Sequence, residues 1–393
     1  MRYFIRRRYK YFVIAIDKIG EFFVGIKRIF IRPKKFEKDK INTIILLVLD
    51  LIGDGILATP AIRTVRENFL KAKITVVVGP WNKEMFENNP NVDEIKIINS
   101  FWARSNNLSL WQEIKTFIAI YRQTKKENYD LGIDFRGEFL SILLLRKMGV
   151  KYKVGYGITG GGWLLDRRVN YEGDRFAKHV VERNLDLLRS LDLQISGNVN
   201  LSVYPSEENK KVVDKFLLEH GIAENSRIVL IHPGSKDQAR RWNDERWAEV
   251  VTWLLKNKYK VILSGGPNDN FQFSIFPPRA DHPQAGNFQV KNKVNFLGYS
   301  ILDLAELAGR VDLLLCVNSA PLHIASARKI PTIVLFAGSY PQTYGPWQND
   351  KSVVLFKNVD CFPCGKAVCE NNICMRKISV QEVIGAIQDI KHT

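Results

Sequence analysis

The stretch Leu49–Phe69, "LDLIGDGILATPAIRTVRENF", sets an apolar run against a helical pattern, with Gly53-Asp54-Gly55 at the join. Upstream, "INTIILLVLD" (Ile41–Asp50) is the kind of β-branched and leucine run that fills a parallel strand covered on both faces. Downstream, Ile56, Ala58, Thr59, Ile62, Val65 and Phe69 fall near a 3.6-residue spacing, and Pro60 is expected in the first turn, where its missing N–H is harmless. This strand-turn-helix unit puts Asp54 at the carboxyl end of a strand, the edge at which open α/β sheets bind ligands. A phosphate-binding turn would offer backbone N–H groups without a carboxylate, and the pattern G-x-G-x-x-G is absent from this turn. Asp54 therefore reads either as a helix cap or as a group that handles a proton.

Working outward, strand and helix patterns alternate twice along the chain. "TIILLVL", "KITVVVG", "EIKII" and "DLGIDFRG" read as strands of a first half, with helices over residues 60–69, about 110–126 and up to 148. "KYKVGYGITGGGWLLDRRV" breaks that rhythm with glycines and reads as a mobile loop, followed by a helix around "HVVERNLDLLRSL". In a second half, "RIVLIHPG", "KVILSGG", "DLLLCV" and "PTIVLFAG" read as strands. "EENKKVVDKFLLEHG", "DERWAEVVTWLLKNK", "ILDLAELAGR" and "APLHIASARK" read as helices. The polar stretch over residues 196–208 is the linker between the halves. The expected architecture is α/β: two doubly wound, Rossmann-like domains facing each other across a cleft, residues 41–195 and 209–376, with a C-terminal helix over 377–393 that packs back across them.

The chain of 393 residues carries a formal net charge of +17, and residues 1–40 hold 13 Lys/Arg against 4 Asp/Glu. In that segment Ile5, Tyr9, Phe12, Ile16, Ile19, Phe23, Ile26 and Phe30 alternate at steps of four and three, one apolar face of a basic helix. Asp17, Lys18 and Glu21 interrupt its most apolar window, and no small-residue cleavage site follows, so neither a membrane span nor a secretory signal is expected. The segment suits an anionic membrane surface, at about 1 kcal/mol per near-surface Lys or Arg; the alternative is an apolar face packed on the protein's own body. No nucleic-acid module accompanies the charge.

Four of five cysteines, Cys361, Cys364, Cys369 and Cys374, lie in "CFPCGKAVCENNICM". Their spacing leaves zinc, free thiols and disulfides open, in that order, while Cys316 in "VDLLLCVN" reads as a core residue.

Three strand ends of the second half carry groups suited to an anion. "IHPGSKDQARRWNDERW" supplies backbone amides, Ser235, Lys236 and Arg240; "LSGGPNDN" supplies glycines and Asp269. In "VNSAPLHIASA", Asn318 and Ser319 are placed to cap a helix starting near Ala320, with His323 one turn in, either as a ligand group or as a packed core histidine. With Asp54 in the other half, this suits a nucleotide-activated donor and an acceptor hydroxyl, held without an obvious metal-binding acid pair.

In this order, "LIGDGILATPAIRTVRENF", "IHPGSKDQARRWNDERW", "LSGGPND", "NSAPLHIASA" and "CFPCGKAVCENNICM" resemble glycosyltransferase family 9, the lipopolysaccharide heptosyltransferase family, from about residue 43 to the C-terminus. The resemblance implies a GT-B fold, an inverting, metal-independent transfer from a nucleotide sugar, often ADP-heptose, to a lipopolysaccharide-core or other lipid-linked glycan, and work at the cytoplasmic face of the inner membrane. It implies that Asp54, between Gly53 and Gly55, deprotonates the acceptor. It also implies that Ser235, Lys236, Arg240, Asp269 and the segment Asn318, Ser319, Ala320 and His323 bind the donor, and that Asp134, Arg136 and His179 lie on the acceptor side. No cofactor is expected for catalysis. Four positions depart from the family pattern: Arg240 replaces Lys, Asp269 replaces Glu, Ala320 replaces Gly, and Asn318 replaces Asp, which leaves the sugar open. The competing readings are a nucleotide-sugar-binding protein without turnover and a GT-B nucleotide-sugar epimerase.

Overall fold

The structure is a computed structural model that describes residues 14–15, 17–22, 34–98, 110–157, 160–170, 177–266 and 293–390. The chain divides into two compact units, Met1–Val199 and Asn200–Thr393. In the first, parallel strands β1 (Thr43–Val48), β2 (Lys73–Val78), β3 (Glu94–Ile97), β4 (Leu131–Asp134), β5 (Tyr152–Tyr156) and β6 (Arg167–Val169) lie in the order 3-2-1-4-5-6. In the second, β7 (Ile228–His232), β8 (Lys260–Gly265), β9 (Lys293–Leu297), β10 (Leu313–Val317), β11 (Thr332–Phe336) and β12 (Ser352–Phe356) repeat it as 9-8-7-10-11-12. Each sheet therefore has a switch point where its order reverses, between β1 and β4 and between β7 and β10, and a crevice outside the strand ends there is where such sheets take ligands.

Beyond residue 40, the described α-helices of the first unit are α1 (Ile52–Asn68), α2 (Glu84–Glu87), α3 (Leu110–Gln123), α4 (Phe139–Lys147) and α5 (Val180–Arg189). Those of the second are α6 (Glu207–Glu219), α7 (Asp244–Lys256), α8 (Ile301–Ala308), α9 (Ala320–Arg328), α10 (Pro341–Tyr344), α11 (Ile373–Arg376) and α12 (Val380–Ile390). β1 is buried from Ile44 to Val48, as an unbroken apolar run requires when helices cover both faces. Packed against the second sheet, Val250, Val251 and Leu254 of α7 meet Val383, Ala386 and Ile387 of α12 in one core. The C-terminal helix is thus part of the second unit's own core.

Several expectations need correction. α1 begins at Ile52, so Pro60 stands in its interior and cannot donate to Ile56 O; the Thr59 hydroxyl does so instead, at 2.7 Å. The glycine-rich stretch expected as a loop contains β5 and β6, and β9 and β12 extend the second sheet where no strand was expected. Asp166 explains part of this: its carboxylate accepts from Lys153 N at 2.9 Å and faces Lys153 Nζ at 2.5 Å, tying the start of β6 to β5. The expectation of one helix over residues 1–40 fails at its C-terminal end, since Lys34–Glu37 is not helical and Lys38–Lys40 forms one 3-10 turn. Most of the rest, residues 1–13, 16 and 23–33, lies outside the described residues.

Residues 17–22 are helical and pack on the first unit through a polar edge. Asp17, 1% exposed, accepts from Gly161 N at 2.6 Å, and Glu21 pairs with Arg168 at 3.2 Å. Gly20 has no room for a side chain, because a Cβ would lie 2.1 Å from the Trp163 ring. Ile19 and Phe22 point outward, 57% and 65% exposed.

Candidate active site

In the first unit the candidate residues gather at the β1/β4 switch point. Gly53, Asp54 and Gly55 form the first turn of α1, directly after Asp50 and Leu51. Asp54 Oδ2 accepts from Leu51 N at 3.3 Å, so the carboxylate does take the capping role, by a long bond. From the β4 end, Arg136 binds the Asp50 carboxylate and also pairs with Glu138 at 2.8 Å. Asp134, Arg136 and the Gly53–Gly55 turn are thereby joined through Asp50.

Asp134 is fully buried, and burial pushes its carboxyl up to about 7 against the hydrogen bonds from Ser141, Arg136 N and Gly137 N that favour the charged form. The geometry agrees with the neutral acid. Ser141 Oγ lies 2.6 Å from Asp134 Oδ2 and 2.7 Å from Glu138 O, and one hydroxyl proton cannot serve both acceptors. A protonated Asp134 supplies the second proton. His179, expected on the acceptor side, is the N-cap of α5: its Nδ1 accepts from Val181 N at 3.2 Å, and Asn184 of that helix donates to Leu57 O of α1 at 3.1 Å.

In the second unit the candidate residues gather at the β7/β10 switch point. Ser235 and Lys236 follow β7, and Arg240 ends a 3-10 turn, Gln238–Arg240. Arg240 pairs with Asp237 at 2.9 Å and donates to Asn318 O at 3.3 Å, so the post-β7 and post-β10 loops meet. Asn318 and Ser319 do not cap α9. Ser319 Oγ donates to Val317 O at 3.2 Å, while the Asn318 amide donates to Ala337 O at 3.3 Å and to Ser339 Oγ at 3.0 Å, tying the end of β10 to the end of β11. Ala320 opens α9 and His323 is buried in it. Asp269 lies outside the described residues.

The expected zinc site is not formed. Among the described residues no group of three or more His, Cys, Asp or Glu side chains could hold a metal ion, and Cys361, Cys364, Cys369 and Cys374 are free thiols. Their loop instead braces the loops after β7 and β11: Gly365 N donates to Gly338 O at 3.1 Å, Ala239 N to Ala367 O at 3.0 Å, and the Asn372 amide to Arg241 O at 2.8 Å.

Four residues beside the β1/β4 switch point of the first unit carry no motif: Asp50, Glu138, Trp81 and Asn82. Trp81 Nε1 and Asn82 Nδ2 each donate to Asp50 O at 2.8 Å, and Asn82 Nδ2 also to Leu51 O at 3.2 Å. Their only sequence signal is position, just past the end of β2 beside the switch point.

Comparison with known proteins places the chain in a family context. The family model described as glycosyltransferase family 9 (heptosyltransferase) matches residues 117–374. Lipopolysaccharide heptosyltransferase 3 of Escherichia coli K12 is 24% identical over 342 residues, covering 86% of this chain and 95% of the relative. Among solved structures, the glycosyl transferase family 9 protein from Veillonella parvula superposes with a TM-score of 0.69 at 23% identity, covering 89% of this chain and 97% of that one. The E. coli ADP-heptose lipopolysaccharide heptosyltransferase II superposes at 0.65 and 18%, covering 88% and 98%. The two parallel six-stranded sheets are therefore the arrangement of the GT-B heptosyltransferase structures.

Proposed function

The chain belongs to glycosyltransferase family 9, the heptosyltransferases, and from that premise we propose that it moves a heptose-like sugar from ADP-heptose or a related nucleotide sugar onto a lipopolysaccharide-core or other lipid-linked glycan. The observation that carries the reading is the Asp54 carboxylate on the first turn of α1, at the switch point of a 3-2-1-4-5-6 sheet, where open α/β sheets take their ligands. On this reading Asp54 accepts the hydroxyl proton as the acceptor oxygen attacks the anomeric carbon opposite the leaving diphosphate, so the configuration inverts. Ser235, Lys236, Arg240 and the N-terminus of α9 stabilise the charge that develops on the diphosphate, so the reaction needs no divalent cation. Arg240 replaces the family's usual Lys with a planar fork, and its second nitrogen is already engaged by Asp237.

The acceptor is lipid-linked, and the attachment is peripheral on the inner face of the cytoplasmic membrane. Among the described residues no helix is long and apolar enough to cross a membrane. The helix over residues 17–22 spends Asp17 and Glu21 on the first unit and leaves Ile19 and Phe22 outward, in a segment with a net charge of +9 over residues 1–40 (13 basic less 4 acidic). That combination suits insertion into an anionic interface.

The test is incubation of the purified protein with a panel of nucleotide sugars and membrane glycolipid, read by mass spectrometry with and without a chelator. The expected result is addition of one heptose mass, release of ADP, a product of inverted anomeric configuration and no loss with chelator. Nucleotide binding with no mass shift for any donor would overturn the reading.

A further inference from the structure

We infer that Trp81 and Asn82 are positioning residues for the Asp54 carboxylate, an inference that rests on the reading of Asp54 as the base. Asp54 is the third residue of α1, so its direction follows from where the Asp50–Leu51 segment starts the helix. That segment is held from two sides. From the 3-10 turn Pro80–Asn82 after β2, Trp81 Nε1 and Asn82 Nδ2 both donate to Asp50 O at 2.8 Å, and Asn82 Nδ2 reaches Leu51 O at 3.2 Å. From the β4 end, Arg136 binds the Asp50 carboxylate.

The Leu51 residue is where clamp and base meet. Its carbonyl takes the Asn82 bond and the first helical bond from Gly55 N at 3.1 Å, while its N–H is the one that Asp54 Oδ2 accepts. A shift of the Leu51 backbone therefore moves the carboxylate directly.

Asn82 is committed to this task at a cost. It is fully buried, and among the described residues its Oδ1 has no hydrogen-bond partner and faces Gly55, where a Cβ would lie 3.4 Å away. The opposite amide orientation would set oxygen against two carbonyls, so the nitrogen must be the atom that faces Asp50 and Leu51. A buried side chain with one orphaned acceptor is unfavourable in itself, and an apolar residue would fill the same volume without that penalty. What only the amide supplies is the pair of bonds to the turn that carries Asp54. Misplacement of a catalytic group by about 1 Å costs on the order of a hundredfold in rate.

The test uses Trp81→Phe, which keeps a smaller aromatic ring and removes one donor, and Asn82→Asp, which keeps the shape and removes two. Each is made alone and with Asp54→Asn, and kcat, ADP dissociation constant and thermal midpoint are measured on the full chain. The expected results are a kcat lowered about tenfold by Trp81→Phe and further by Asn82→Asp, ADP affinity unchanged, and no additional loss when Trp81→Phe is added to Asp54→Asn, because a residue that acts through Asp54 has nothing left to position. Lowered thermal midpoints with unchanged kcat would overturn the inference, as would an equal loss from Trp81→Phe in both backgrounds. If Asn82→Asp fails to fold, Trp81→Phe decides alone. Wild-type kcat in Asp54→Asn would overturn the base reading and this inference with it, and is distinguished by the single variant.

Discussion

At Asp134 and Asn318 the same question recurs: what does a polar side chain do once a strand end buries it? The Asp134 carboxyl is raised by burial from its ordinary value to about 7. The folded state therefore holds a proton that the unfolded state releases, so stability is fully present below the ordinary carboxylate range and falls as pH rises toward and through about 7. Asp134→Asn keeps the contact with Arg136 N and removes the titration. The thermal midpoint of Asp134→Asn minus that of the wild type should rise between pH 5 and pH 8, by an amount that reflects a few kcal/mol; a pH-independent difference would show that Asp134 is not the group responsible. Asn318 raises the matching issue in the second unit. Its amide N–H groups serve Ala337 O and Ser339 Oγ, so Asn318→Asp sets a carboxylate against a carbonyl. That variant should lose about 1–3 kcal/mol of stability, read by denaturant titration of the second unit's tryptophans.

Element by element, legibility tracked how completely burial dictated the residues. β1, β7, β10 and β11 are apolar through most of their length and could be read directly, as could the helices whose faces pack on them. The edge strands β6, β9 and β12 are only partly buried, so their apolar pattern is weak, and "YKVGY" of β5 was hidden by its glycine neighbourhood. Pro60 misled because proline ordinarily marks a first turn; the Thr59 hydroxyl that serves Ile56 O is a local device that no period reveals. Thr59→Val should therefore lower stability by about 1–2 kcal/mol with the helix otherwise retained, checked by thermal denaturation monitored by circular dichroism. Of the site, the strand-end loops with Asp54, Ser235 and Arg240 were legible because backbone turns and charge sit in contiguous motifs. Asp50, Glu138, Trp81 and Asn82 were not, since they act only through pairings between strands distant in sequence.

Over the whole molecule, one strand order is used twice, and the ligand-suited residues of each unit stand at its switch point. The N-terminal segment adds a third feature, a helix fixed to the first unit by Asp17 and Glu21 with Ile19 and Phe22 outward. Sedimentation with vesicles containing anionic phospholipid should be salt-sensitive, and the paired change Ile19→Glu with Phe22→Glu should weaken it at least tenfold without lowering the thermal midpoint. Binding that is equally strong to neutral vesicles, or unmoved by the pair, would remove the membrane role from this surface.

The proposed transfer turns on one carboxylate, so the most direct measurement is single-turnover sugar transfer by Asp54→Asn beside the wild type, with the ADP dissociation constant determined for both. The account predicts a rate lowered by about 10²–10⁴-fold with nucleotide affinity unchanged, because the donor loops belong to the other unit. Transfer at the wild-type rate would leave Asp54 as no more than the cap of its helix and contradict the account.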